Sequence, residues 1–177
     1  RRVLFRSDQL TALSLPRLAT VEGALYLGGG ADRPGNARLT EISLPQLTTV
    51  GGELGLSQNP QLTELSMPLL TSVSDTLYVS SNDHLAALSL PELTSVGGVL
   101  QVFNNVQLAM FSLPELTTIG DALYVHRNAQ LTAFLVPELT TVGDSLNVWS
   151  NEKLTELSLP ALTEIRGELD IEANGLI

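Results

Sequence analysis

Tyr26, Tyr78, Phe103, Tyr124 and Trp149 are five of the eight aromatic side chains in this 177-residue chain. Their spacing is not random: His126 lies 23 residues after Phe103 and 23 before Trp149, and Tyr78 and Tyr124 are two such steps apart. Aromatic rings interleaved with the amides of Gln101 and Asn147 suit a sugar ring or a protein surface, because each ring joins a large apolar area to a polar neighbour. The same residue types are good strand formers that stack between neighbouring strands. Both readings therefore attach to one candidate face: Tyr78, Gln101, Phe103, Tyr124, His126, Asn147 and Trp149. His126 taken alone reads as a surface strand residue, and His84 as a corner residue.

Other periodic residues point to weaker chemistry. Glu92, Glu115 and Glu138 form an acidic column that a Ca²⁺ ion would neutralise. The glycine-rich calcium-repeat motif is missing, however, so a solvated face is the expected reading. Thr48, Thr71, Thr94, Thr117, Thr140 and Thr163 repeat as well. An ice-binding array needs two outward Thr two residues apart on one flat strand, whereas here the pair is adjacent, so alternation sends its members to opposite sides or around a bend. Asn59, Asn82, Asn105, Asn128, Asn151 and Asn174 form a third series, read as a structural ladder in which buried amides serve neighbouring backbones. No Ser-His-Asp, paired-carboxylate or metal-ligand spacing stands out. A non-enzymatic protein without metal or cofactor is expected.

These residues are placed by a 23-residue phrase, x-L-T-x-L-S-L-P-x-L-T-T-V-G-x-x-L-x-V-x-x-N-x, with copies beginning at Gln9, Arg38, Gln61, His84, Gln107, Gln130 and Lys153. A fixed period in this range marks a solenoid. Leu-Ser-Leu alternation gives a strand, the proline of each unit stops it, and Gly-Gly or Gly-Asp turns the chain again. A last strand, as in Thr76-Leu77-Tyr78-Val79-Ser80, puts Leu and Val inward. The expected fold is an all-β-rich solenoid of about seven rungs, a right-handed parallel β-helix or leucine-rich-repeat coil. The first unit carries a six-residue excess within Gly28–Ala37, expected as a protruding loop.

The run LTSVGGVLQVFNNVQLAMFSLPELTTIG, from Leu93 to Gly120, resembles the receptor L-domain type of leucine-rich repeat. Bacterial surface proteins with 23-residue repeats look similar. The resemblance implies a cell-surface or secreted recognition module without catalytic activity. The chain lacks cysteine, so receptor kinase signalling does not carry over, and a bacterial envelope protein is the expected setting. A net charge of −10 argues against nucleic acid, and no apolar run reaches the ~18 residues needed for membrane insertion. Arg1–Ser7 stand outside the repeat and resemble a translated sequencing-adapter oligonucleotide. A non-native leader (1–7) followed by one solenoid (8–177), a fragment of a longer protein, is the expected organisation. The partner would be a protein or a glycan. The alternative is a structural spacer or adhesin stalk; ice binding and polysaccharide cleavage rank below both.

Overall fold

The computed structural model describes residues 2–29 and 35–175, which contain strands and turns but no helix. They form a parallel β-solenoid of about seven coils. Each complete coil supplies one strand to each of three faces. The long face has eight strands, running from Arg2–Phe5 and Ala24–Gly28 through Leu54–Ser57, Leu77–Ser80, Leu100–Phe103, Leu123–His126 and Leu146–Trp149 to Leu169–Glu172. A second face stacks seven two-residue strands, from Thr20–Val21 to Glu164–Ile165. The third is split, three strands ending at Glu64–Ser66 and four beginning at Ala87–Ser89.

Register makes the repeat visible in space. Leu77 pairs with Leu100, Leu100 with Leu123 and Leu123 with Leu146, so equivalent positions stack at the ~4.8 Å strand spacing. The inward columns of Leu, Val and Ile are almost wholly buried from Leu25 to Leu154. One coil has too little apolar surface to close on itself, and the stack turns these columns into a continuous core. Phe111 and Phe134 replace inward Leu on adjacent coils and lie face to face, 4.9 Å between centroids.

The corners follow from the residues that stop the strands. At the proline corner the Leu47 N–H donates to the Leu44 carbonyl, and the same bond recurs at Leu70, Leu93, Leu116 and Leu139. This places Pro at the second position of a β-turn, where its fixed φ fits. At the glycine corner the backbones of successive coils nearly touch. A Cβ on Gly120 would stand 2.1 Å from the Gly97 carbonyl oxygen. At the third corner Gln58, Ser81, Asn104, Arg127, Ser150 and Ala173 all have φ between 51° and 57°.

Two side-chain ladders bind coil to coil. The threonine column donates its hydroxyls upward, Thr94 Oγ1 to Thr71 O and Thr117 Oγ1 to Thr94 O, each 3.0 Å. The asparagine column is fully engaged. Asn105 Nδ2 donates to Val79 O (3.1 Å) and to Asn128 Oδ1 (3.3 Å), while its Oδ1 accepts from the backbone and side-chain nitrogens of Asn82. Each amide from Asn59 to Asn151 thus links three coils, and Asn174 links two.

The ladder has one more member than the six read from sequence. Asn36, fully buried, donates to Asn59 Oδ1 at 2.9 Å. The six-residue excess lies before it, and residues 30–34 of the expected loop lie outside the described residues. The segment expected as a non-native leader contributes a strand to the long face. Arg2–Phe5 pairs with Ala24–Leu27 as the edge of the long face, and Asn36 Nδ2 donates to the Phe5 carbonyl at 3.3 Å.

Candidate binding face

Alternation on the long face sends Tyr78, Gln101, Tyr124 and Asn147 outward in one column and Ser80, Phe103, His126 and Trp149 in the next. All seven residues of the candidate face are therefore brought together on four adjacent strands. Their arrangement departs from an open platform. Phe103 stacks on His126 (4.8 Å between centroids, 12° between planes), His126 stacks on Trp149 (4.1 Å, 5°), and Tyr78 meets Phe103 edge-on at 5.3 Å. The strand spacing is close to the aromatic stacking distance, so Phe103, His126 and Trp149 turn their faces to one another along the solenoid.

His126 corrects the expectation of a surface residue. Sandwiched between Phe103 and Trp149, it is only 8% exposed. Burial, with the nearby Arg127 cation, pushes its pKa down to about 4. The ring is therefore neutral at pH 7, and none of the eight outward positions on these four strands carries a formal charge.

Two buried polar side-chain atoms lack a hydrogen-bond partner among the described residues, His126 Nδ1 and Asn147 Oδ1. Both belong to this face. Neither the Tyr78 and Tyr124 hydroxyls nor the Trp149 indole N–H has a partner among the described residues.

Cations meet aromatic rings at two places, neither foreseen from the sequence. The Arg127 guanidinium lies 5.0 Å from the Trp149 ring centre. The Arg2 guanidinium lies 4.5 Å from that of Tyr26, whose hydroxyl donates to Glu53 Oε2 at 2.7 Å. Vertical neighbours give the signal for both, since Arg2 lies one strand from Tyr26, and Arg127 directly follows the partner of Trp149.

The remaining candidates stay apart from any site. Glu92, Glu115 and Glu138 are exposed, and no group of three or more His, Asp or Glu among the described residues is arranged to hold a metal. His84 sits at a corner and is exposed, its Nδ1 2.6 Å from the Pro60 carbonyl oxygen. No described helix is long and apolar enough to cross a membrane. No family model matches the chain, and no curated protein or solved structure is significantly similar to it.

Proposed function

We propose that this chain is a non-enzymatic binding module that engages a protein partner through the outward side of its long sheet. The observation that carries the reading is the placement of the two unpartnered buried polar atoms, His126 Nδ1 and Asn147 Oδ1, within the aromatic cluster. Such atoms cost about 1–3 kcal/mol each when left unsatisfied. An uncharged aromatic centre carrying free phenol and indole donors has the composition of an interface core. Stacking closes the faces of Phe103 and His126 to a sugar ring and leaves two separated tyrosines, Tyr78 and Tyr124, beside the amides of Gln101 and Asn147, a composition nearer to a protein hot spot than to a continuous sugar platform. The resemblance to receptor L-domain leucine-rich repeats supports the same reading, with a bacterial cell-surface or secreted setting.

The spacer or stalk alternative draws on the same stack, because rings that pack on one another also stiffen a rod. Replacing Tyr124 and Trp149 together by Ala separates the two. A binding module loses a partner from a cell-envelope protein fraction while keeping its β circular dichroism. A spacer binds nothing that this double variant loses.

A further inference from the structure

We propose that the occupant of this face is an arginine-bearing protein surface, whose guanidinium groups lie on Tyr78 and Tyr124 and are drawn there by Asp75 and Asp121. The inference rests on the binding-face reading above and names the chemistry of its partner. Tyr26, Tyr78 and Tyr124 share one outward column. Tyr26 shows half of this contact made within the chain: the Arg2 guanidinium covers its ring, while the Glu53 carboxylate of the next coil accepts from its hydroxyl. The positions matching Glu53 beside Tyr78 and Tyr124 are Val99 and Ser145, so there the carboxylates stand at the corner instead. Tyr78 and Tyr124 each follow an exposed aspartate by three residues, Asp75 and Asp121, at the corner leading into the long sheet. Among the described residues, no ring or cation contact covers Tyr124, and Tyr78 meets only the Phe103 ring.

The charge around the neutral centre has one sign on most of its border. Asp75, Asp121 and Asp144 line the corner, and Glu168, Asp170 and Glu172 follow on the last coil. The only ion pair among the described residues is Arg166–Glu164, so none of these six carboxylates is neutralised by a salt bridge. A guanidinium stacks on an aromatic face more readily than an ammonium does, and it also forks onto a carboxylate. Tyr78 and Tyr124 are two strand spacings apart, about 10 Å, which separates two arginines of one partner surface.

The test is calorimetric titration of the chain with oligo-arginine and oligo-lysine peptides of equal length. Oligo-arginine is expected to bind more tightly. Asp75→Asn with Asp121→Asn should weaken that binding about tenfold, as should Tyr78→Leu with Tyr124→Leu. Glu92→Gln with Glu138→Gln removes the same charge at the proline corner and is expected to change binding less than about twofold. Thermal melts of all three double variants establish that each is folded. Equal affinity for the two peptides, or equal loss with both acidic pairs, overturns the arginine assignment. Either result leaves the binding face itself to the separate test with Tyr124 and Trp149.

Discussion

His126 enters the aromatic column as a neutral ring, which ties the stability of the face to pH. A histidine whose folded-state pKa is depressed favours folding while it is uncharged. That contribution is complete above the ordinary value of 6.5 and is lost as pH falls toward about 4. The melting temperature should therefore drop across this window. His126→Phe, which keeps a ring in the stack and has no proton to gain, should flatten that part of the pH profile. Trp149 gives a second check: half-buried and stacked on one side, it should emit between the exposed and buried extremes and be only partly quenched by iodide. The columns of the face were legible in the sequence because a period of two decides inside from outside. The burial of His126 was not, because it depends on whether the neighbours one coil away are large enough to cover it.

At the scale of the element, stability resides in corners and ladders. Asn105→Ala would strand the Val79 carbonyl and the Asn82 donors inside the core. A loss of about 3 kcal/mol or more in urea unfolding is expected. Ser150 holds a left-handed backbone that L-residues resist, so Ser150→Gly should gain about 0.5–1 kcal/mol. The proline turns and the asparagine ladder could be read directly from residue type and spacing. Asn36 could not, because the six-residue excess hides its place one period before Asn59. The split of the third face between Ser66 and Ala87 also left no clear trace. Ala86 lacks the hydroxyl that Thr63 gives to the Thr40 carbonyl. Ala109 lacks it too, yet keeps its backbone bond to Ala86, so the missing hydroxyl does not by itself explain the break.

Across the whole molecule, each coil touches only its neighbours, and opening should begin on strands whose side chains are least buried. Amide exchange is expected to be fastest along Leu169–Glu172 and slowest at Val102 and Val125, in the middle of the long face. The repeated register carries a hazard during folding as well. Coils this alike offer almost isoenergetic wrong partners, so a nascent chain is able to skip a rung and loop it out. Phe111 and Phe134 work against that error, because only their own pairing sets two large rings face to face inside the core. The departures from the repeat thus act as index marks, telling each coil which neighbour is its own.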